Sequence, residues 1–377
     1  MWYNNTMLNF DNASTTKISQ QALEAYINAS ETFFNPSAMY NEGVKAKILL
    51  DDARSYFIQQ FKGKPSSTFI FTGSASESNN AVLNANITRK DKKYLIGGGE
   101  HSSIHNVAKY YQQLGYNIKF IPLLNNGGID ISALEQELDD SVAFVSIMHV
   151  SNETGAINDI KAITDLVKAY NKNIIVHSDG VQAVGKFKIN LKDLGVDYYT
   201  ISAHKINGPK GVGALYVANP NKFKPFILGG GQEMNLRAGT ENLAGIMAFK
   251  TALENIKECD YSNHKLAIIN NLEADYICVS NKNCVNNIIS LCFKGVRGET
   301  IQHILEAKGY IIGTGSACNS KIPTNRVVSQ IVSSDYATGA IRLSFDNSIT
   351  IEDCVNIAKE LSQAVKEYRE KTNKWIM

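Results

Sequence analysis

Short apolar runs of strand length alternate with helical stretches between residues 68 and 217 of this 377-residue chain. The runs predict strands at about 68–71, 94–96, 118–121, 142–149, 174–178, 197–201 and 213–217. Helical stretches at about 102–114, 132–138 and 161–171 separate most of them. This alternation predicts an α/β fold with a mainly parallel seven-stranded sheet covered by helices. Ligands of such sheets bind at the carboxyl ends of the strands.

Two helices are predicted ahead of these strands, at about 19–31 and from about residue 41. In the second helix, apolar side chains fall on every fourth position, at Leu49, Ala53, Phe57 and Phe61. This spacing predicts one apolar stripe that packs on a core.

A helix predicted at about 243–257 ends the alternating region, and a different order of elements follows. Strands at about 287–293, 310–313 and 339–345, with helices near 299–308 and from residue 351, predict a smaller α+β domain. We therefore divide the chain into an N-terminal segment 1–14 that packs with the small domain, a large domain 15–255 and a small C-terminal domain 256–377.

Charge and apolar length argue against two classes of partner. The sequence has 38 basic and 36 acidic residues and a net charge of +2, so it lacks the broad basic surface of a nucleic-acid binder. Its longest apolar runs, such as 142–150, are too short to cross a bilayer, and its first residues lack the pattern of a secretory signal. We expect a cytoplasmic protein with no membrane partner and no direct contact with nucleic acid.

Six cysteines, at positions 259, 278, 284, 292, 318 and 354, show no Cys-x-x-Cys pair and no regular spacing. This pattern argues against a disulfide framework and against a structural zinc site. We expect free thiols and no metal ligands.

Lys205 follows the predicted strand 197–201, between Ser202 and a glycine-rich turn at 208–213. A lysine that is partly desolvated beside other cations loses its proton more easily and becomes a nucleophile. Such a lysine fits a Schiff base with a carbonyl compound, and it fits equally well a contact with a phosphate group. This stretch alone favours neither of the two.

Other polar residues follow other predicted strands. The small-residue stretch 72–80 opens a helix, where unpaired amides and the helix dipole favour an anion.

Asp179 and Lys205 end two strands, so both can face a ring that lies across the sheet. A buried carboxylate keeps the pyridine nitrogen of pyridoxal phosphate protonated. Gln182 suits a hydrogen bond to the phenolic oxygen, and His101 suits ring stacking and proton transfer. Taken singly, each of these side chains more often has an ordinary structural role.

Six runs carry a family resemblance when they are taken together and in order. They are residues 72–80 (TGSASESNN), 100–101 (EH), 152–155 (NETG), 179–182 (DGVQ), 202–205 (SAHK) and 237–240 (RAGT). These runs resemble those of the NifS/IscS-type cysteine desulfurases, which are pyridoxal-phosphate enzymes of fold type I in the class V aminotransferase family.

The resemblance implies roles for particular residues. Lys205 would be the Schiff-base lysine, Asp179 would face the pyridinium nitrogen, Gln182 the phenolic oxygen, and His101 would stack on the ring. Phosphate contacts would come from Ala75, Ser76, Ser202 and His204, with Thr240 reaching in from the second subunit of a homodimer. Arg342, Asn152 and Asn35 would bind the substrate carboxylate.

Cys318 lies in a run of small residues, 313–320, and resembles the mobile-loop nucleophile of this family. By contrast, Cys292 is predicted to lie in the core of a strand, and Cys354 in the first turn of the last helix, where a free cysteine is usually structural. The resemblance implies that the enzyme removes sulfur from L-cysteine with pyridoxal phosphate, releasing L-alanine and leaving a persulfide on Cys318. The persulfide would pass to an iron–sulfur scaffold, a tRNA-thiolation enzyme of the thiouridylase type or a thiamin pathway protein.

The chain departs from the family pattern at Met234 and Asn235, which replace a more basic, glycine-containing stretch. A selenocysteine lyase or a short-loop desulfurase would use the same cofactor site. An aminotransferase or another lyase of the same fold would not need Cys318. A non-enzymatic binding partner is disfavoured because Lys205, Asp179 and Cys318 are all present.

Overall fold

The computed structural model describes residues 7–314 and 325–373. Its strands are β1 (Leu8–Phe10), β2 (Thr68–Thr72), β3 (Lys93–Gly97), β4 (Asn117–Ile121), β5 (Val142–Ser146), β6 (Ile175–Asp179), β7 (Tyr198–Ser202), β8 (Gly213–Val217), β9 (Tyr276–Cys278), β10 (Ile288–Phe293), β11 (Tyr310–Ile312) and β12 (Ala340–Ser344).

The helices precede, separate and follow these strands. They are α1 (Gln20–Ser30), α2 (Asn41–Gln60), α3 (Ala75–Asn86), α4 (Ser102–Gln113), α5 (Ile131–Gln136), α6 (Ile160–Tyr170), α7 (Leu191–Leu194), α8 (Leu243–Glu254), α9 (Ser262–Asn270), α10 (Gly298–Ala307), α11 (Ser334–Ala337) and α12 (Ile351–Asn373). Within the described ranges, no helix has the length and apolar character needed to cross a membrane.

The central sheet has seven strands in the order β2-β8-β7-β6-β5-β3-β4. Strand β8 is antiparallel to both of its neighbours, β2 and β7, and the other four pairings, which join β7, β6, β5, β3 and β4 in that order, are parallel. The prediction of a mainly parallel seven-stranded α/β sheet is therefore confirmed. The carboxyl ends of β3, β5, β6 and β7 consequently meet at one edge.

Both faces of this sheet are covered, as expected for strands that read as continuous apolar runs. Phe69 and Phe71 of β2 pack into one core with helices α2 and α8, whereas Ile70 packs into a second core with helices α3 and α4. On the first face, the ring of Phe57 contacts those of Phe71 and Phe249 edge to face, at centroid distances of 5.3 and 4.9 Å. Aromatic contacts of this geometry add to the stabilisation from buried area.

A separate apolar core lies in the C-terminal part of the chain. Strands β9, β10 and β12 form an antiparallel sheet, and β1 pairs in parallel with β11. Phe10 of β1 is fully buried in this core together with side chains of β10 and α12. These contacts support the division at 1–14, 15–255 and 256–377, which stays a prediction.

Candidate active site

The candidate site forms where strands β3, β5, β6 and β7 end. Asp179 is the last residue of β6, and Lys205 closes the short helical turn Ala203–Lys205 that follows β7. Residues 11–16 cross this edge. Ala13 accepts hydrogen bonds from Gln182, which follows β6, and from Lys205, which follows β7. The topology therefore gathers residues that are far apart in the sequence.

The amino group of Lys205 is half-buried and bound to the N-terminal segment. It donates hydrogen bonds to the carbonyl oxygens of Ala13 at 2.6 Å and Ser14 at 2.7 Å. Burial and the nearby cation of Arg342 lower the pKa of the Lys205 amino group to about 8, although the negative charge of Asp179 opposes this change. The unprotonated fraction of this amine near neutral pH is thus much larger than that of an ordinary lysine, which suits a nucleophile.

Asp179 is buried, with 4% of its surface exposed. Its Oδ1 accepts a hydrogen bond from the backbone amide of Val181 at 3.0 Å, and its Oδ2 accepts one from Nδ2 of Asn79 at 2.8 Å. Asn79 also contacts Ser103 Oγ at 2.9 Å, while its buried Oδ1 has no hydrogen-bond partner among the described residues. The sequence locates Asn79 in the stretch that opens a helix, but it does not predict the hydrogen bond to Asp179.

His101 precedes helix α4, and its Nδ1 lies 2.9 Å from the hydroxyl of Ser103. The ring is accessible to solvent, but the protein around it desolvates it and so lowers its pKa. Asp179 raises that pKa and Lys205 lowers it, which shows that the three groups share one electrostatic environment. The loop that carries His101 is fixed by Glu100, whose Oε1 accepts a hydrogen bond from the amide of Met148 at 2.5 Å.

Gln182 is buried, and its Nε2 donates to the carbonyl oxygen of Ala13 at 2.9 Å. Ala13 therefore accepts hydrogen bonds from Gln182 and from Lys205. His204 contacts the next residues of the same stretch, because its Nδ1 lies 3.1 Å from Thr15 Oγ1. Burial and the charge of Lys205 lower the pKa of His204 to about 4, so its ring is neutral at physiological pH.

An anion-binding arrangement lies at the start of α3. Gly213 pairs with Thr72 on one side and with Ser202 on the other, which brings the ends of β2 and β7 to the same place. A Cβ atom at Gly213 would lie 2.9 Å from the amide nitrogen of Ala75, so only glycine permits this close approach. The amides at the helix start, the exposed Ser76 and the buried Ser202 thus lie at one end of the sheet.

The loop before α8 contains a strained turn at Glu233, Met234 and Asn235, which have φ angles of 48°, 59° and 63°. Arg54 holds this turn, because its Nη1 lies 2.6 Å from Oε2 of the buried Glu233. Farther along the loop, Arg237 pairs with Glu77 in the first turn of α3 at 2.9 Å. These two ion pairs fix the loop beside the anion-binding arrangement, and Thr240 is exposed at its end.

Arg342, in β12, is buried with 6% exposure and points toward two carboxylates. Its Nη2 donates to Asp11 Oδ1 at 2.8 Å, and its Nη1 lies 3.5 Å from Glu153 Oε1. Nη1 also donates to the carbonyl oxygen of Asn152 at 3.0 Å. The structure thus brings Arg342 and the backbone of Asn152 together, while the side chain of Asn152 donates to Glu153.

Asn35 is not joined to this cluster by any contact of the described residues, and Cys318 cannot be placed relative to it. Asn35 is exposed, and its side chain accepts a hydrogen bond from the amide of Ser37 within its own loop. Cys318 lies outside the described residues. Of the residues near it on either side, Gly313 exchanges backbone hydrogen bonds with Arg342, and Asn325 Nδ2 donates to Glu153 Oε2 at 2.8 Å.

The residues present fit a phosphorylated aromatic aldehyde such as pyridoxal phosphate. The fit rests on the Gly213 cradle beside the α3 amides, the buried Asp179, the unsatisfied Oδ1 of Asn79 and the amine of Lys205. A metal site has no comparable support, since in residues 7–314 and 325–373 no group of three or more His, Cys, Asp or Glu side chains could hold an ion.

Known proteins resemble this chain in sequence and in fold. The sequence profile of the family described as aminotransferase class-V matches residues 8–357. Cysteine desulfurase IscS 1 of Archaeoglobus fulgidus is 33% identical to this chain over 378 positions, which cover 96% of this chain and 97% of the relative. A solved NifS-like protein is 30% identical, with a TM-score of 0.86 and coverage of 96% of this chain and 99% of its own. The solved structure of SspA in complex with cysteine is 28% identical, with a TM-score of 0.81 and coverage of 90% and 99%.

Proposed function

Because the chain belongs to the class-V aminotransferase family, we propose that it is a cysteine desulfurase that uses pyridoxal phosphate. Its fold is the fold type I architecture of NifS-like enzymes. The observation that carries the proposal is the cluster of Lys205, Asp179 and Arg342. It combines an amine with a lowered pKa, a buried carboxylate and a buried guanidinium at one edge of the sheet.

Each part of the cofactor has residues suited to hold it. The α3 amides at Ala75 and Ser76, with Ser202 and His204, would bind the phosphate, while Asp179 and Gln182 would bind the pyridine nitrogen and the phenolic oxygen. Pyridoxal phosphate supplies an electron sink that stabilises negative charge on the substrate carbon next to the amino group. Asn79 orients Asp179 through its 2.8 Å hydrogen bond, which keeps the carboxylate directed into the site.

The protein's own side chains bind the substrate and move protons. Arg342 would bind the carboxylate of L-cysteine, because a guanidinium matches a carboxylate in charge and geometry. Lys205, with a pKa of about 8, exchanges its proton near physiological pH and suits proton transfer at the substrate carbon. His101 would stack on the ring and serve the sulfur-bearing end of the substrate, since desolvation lowers its pKa and favours the neutral imidazole.

Cys318 would receive the sulfur. Its thiolate attacks the sulfur of L-cysteine, so that a sulfur–sulfur bond forms while the carbon–sulfur bond of the substrate breaks. The electron pair of that bond goes to carbon, which takes up a proton and leaves as L-alanine. L-cysteine and one thiol thus become L-alanine and one persulfide, and no external oxidant or reductant enters the balance.

We also propose that two copies of the chain form the working enzyme. Helix α1, helix α2 and the loop between them expose eight large apolar side chains, here together called the α1–α2 surface: Leu23, Tyr26, Ile27, Phe33, Met39, Tyr40, Val44 and Ile48. Phe33 is 80% exposed and Met39 is 97% exposed, and apolar clusters of this kind mark protein interfaces. In the proposed dimer, the exposed Thr240 of each copy would reach the phosphate site of its neighbour.

The persulfide would pass to a protein acceptor, either an iron–sulfur scaffold, a thiouridylase-type enzyme or a thiamin pathway protein. A cytoplasmic location is part of this proposal. Cys259, Cys278, Cys284, Cys292 and Cys354 are free thiols in the described chain, which supports a reducing compartment.

The deciding experiment supplies L-cysteine and a thiol reductant to the protein reconstituted with pyridoxal phosphate. We expect equal amounts of L-alanine and sulfide, and without reductant we expect one sulfur atom added to Cys318 in the mass spectrum. Release of pyruvate and ammonia in place of L-alanine would identify a different lyase. Conversion of a 2-oxo acid to an amino acid would identify an aminotransferase.

A further inference from the structure

The guanidinium of Arg342 is not fully satisfied by the protein. Nη1 donates to the Asn152 carbonyl oxygen, and Nη2 donates to Asp11 Oδ1 and to Ser14 Oγ, both at 2.8 Å. The Nε–H group is buried and has no hydrogen-bond partner among the described residues. A buried donor without an acceptor is costly, so this group favours binding of an external acceptor such as a carboxylate oxygen.

Gly313 lies beside this group and carries no side chain that could cover it. A Cβ atom built there would be 2.7 Å from Asp11 Oδ1, 3.0 Å from Nη2 and 3.2 Å from Nε of Arg342. Any side chain at this position would press on the unpaired Nε and on the ion pair between Asp11 and Arg342. Because residue 313 is glycine, no side chain from this position covers either group.

The charges at ion-pair distance within this cluster are unequal. One guanidinium, that of Arg342, faces two carboxylate side chains, those of Asp11 and Glu153. The field of Asp11 also extends to Lys205, where it opposes the lowering of the lysine pKa. A ligand that brings only a negative charge must compete with Asp11 for the guanidinium. A ligand that also carries an ammonium group offers Asp11 a new partner.

We infer that Asp11 makes the carboxylate subsite selective for zwitterionic amino acids over simple carboxylates. This inference rests on the proposed function, in which Arg342 binds the substrate carboxylate. Asp11 acts as an internal competitor that repels an anion such as propionate, while it attracts the α-ammonium group of an arriving amino acid. The same repulsion disfavours 2-oxo acids, which are the second substrates of aminotransferases, and so favours sulfur removal over amino-group transfer.

Calorimetric titration of the cofactor-loaded enzyme with propionate, which is L-alanine without its amino group, tests this inference. Asp11→Asn keeps the size of the side chain and one acceptor oxygen but removes the charge. We expect Asp11→Asn to lower the Kd of propionate about tenfold, which equals about 1.4 kcal/mol. The kcat/KM for L-cysteine should not rise, because the variant loses the attraction for the ammonium group as it loses the competition for Arg342.

Two controls separate this effect from others. Asp91→Asn makes the same change at an exposed carboxylate before β3, at the end of the strand opposite the site, and should leave the Kd of propionate unchanged. Asp11→Glu keeps the charge and should retain weak propionate binding. If Asp11→Asn does not fold or does not retain cofactor absorbance, Asp11→Ser removes the carboxylate with a smaller side chain.

An unchanged Kd of propionate in Asp11→Asn would overturn the inference. A matching gain in kcat/KM for L-cysteine would also overturn it, since Asp11 would then repel all carboxylates alike. A wild-type enzyme without desulfurase activity contradicts the proposed function instead, so the two failures are distinguishable.

Discussion

Lys205 and Ala13 lie 192 positions apart, and the lysine amino group donates a hydrogen bond to the alanine carbonyl oxygen at 2.6 Å. The contact exists because β1 pairs with β11 and leads the following residues across the edge of the central sheet. The N-terminal segment thereby accepts hydrogen bonds from the residue that we propose to react with the cofactor. Cofactor loading requires the lysine to exchange this contact for a bond to the cofactor.

The rate of that loading should depend on pH through Lys205. Because burial and Arg342 lower its pKa to about 8, the reactive neutral amine increases as the pH rises through 8. We expect the rate at which the cofactor-free protein acquires visible absorbance from pyridoxal phosphate to rise with a midpoint near pH 8. Arg342→Gln should move this midpoint upward, whereas the exposed Lys172→Gln should not. A midpoint near the ordinary lysine value in the wild type would contradict the assignment.

The same shift affects the stability of the cofactor-free protein. The folded pKa of Lys205 lies below the unfolded value of 10.5, so the unfolded chain binds more protons between about pH 8 and 10.5. The contribution of this lysine to the free energy of unfolding should therefore increase with pH across that window. Denaturant titrations of the wild type and Lys205→Met, compared at several pH values, would isolate this contribution.

The pair of Arg54 and Glu233 should be important for stability and for cofactor retention. Glu233 accepts hydrogen bonds from Arg54 and from the amide of Phe71, and its side chain is only 1% exposed. Glu233→Gln leaves the Arg54 cation buried without its counter-charge, which should cost about 3–5 kcal/mol of unfolding free energy. The control Asp51→Asn removes one partner of an exposed pair with Lys47 and should change nothing measurable.

Cofactor affinity provides a second measurement for Glu233→Gln. The strained turn at 233–235 precedes Arg237, which is paired with Glu77 at the start of α3. Loosening that turn should raise the Kd of pyridoxal phosphate at temperatures where the variant is still folded. A destabilised variant with unchanged cofactor affinity would show that the pair supports the fold but not the site.

The proposed homodimer depends on the α1–α2 surface. Ile27 in α1 and Val44 in α2 are 54% and 45% exposed, so replacing both by Asp puts charge on an apolar contact without disturbing the core. We expect light scattering to give twice the chain mass of 41.5 kDa for the wild type and the chain mass for Ile27→Asp/Val44→Asp. Leu266→Asp changes an equally exposed residue of α9 and should remain dimeric. A monomeric wild type would contradict the assembly.

Much of the fold could be predicted because buried parallel strands appear in the sequence as short apolar runs. The structure differs from the predicted elements at particular residues. In α2, Leu50 is buried and Leu49 is only half-buried, because a helix repeats every 3.6 residues and not every four. The predicted strand 142–149 ends at Ser146, although Ile147 and His149 continue to donate to β6. Strand β9 was missed because it has three residues, none of them buried, and helix α9 because it buries only Ile268.

The site was predictable to the extent that it depends on strand ends. Asp179 and Lys205 follow apolar runs, and parallel topology brings such positions to one edge. The contacts of Asp11 and Ala13 were not predictable, since they join residues more than 160 positions apart through the pairing of β1 with β11. The contact between Arg54 and Glu233 was not predictable either, because these residues lie 179 positions apart. Nothing in the local sequence around these residues indicates a partner.

The last prediction separates sulfur transfer from the cofactor chemistry. Cys318→Ser should still load pyridoxal phosphate and bind L-cysteine, because Lys205, Asp179 and Arg342 are unchanged, but it should release almost no L-alanine or sulfide. The loss should reach several orders of magnitude, more than the roughly 10²–10⁴-fold typical of one acid–base group. The matched control is Cys259→Ser, an exposed thiol that should leave turnover unchanged. Cys292→Ala tests a buried thiol whose pKa desolvation raises to about 12, which makes it a poor nucleophile at neutral pH. If Cys318→Ser desulfurates L-cysteine at the wild-type rate, or if the added sulfur is found on another cysteine, Cys318 is not the acceptor and the proposed reaction path is wrong.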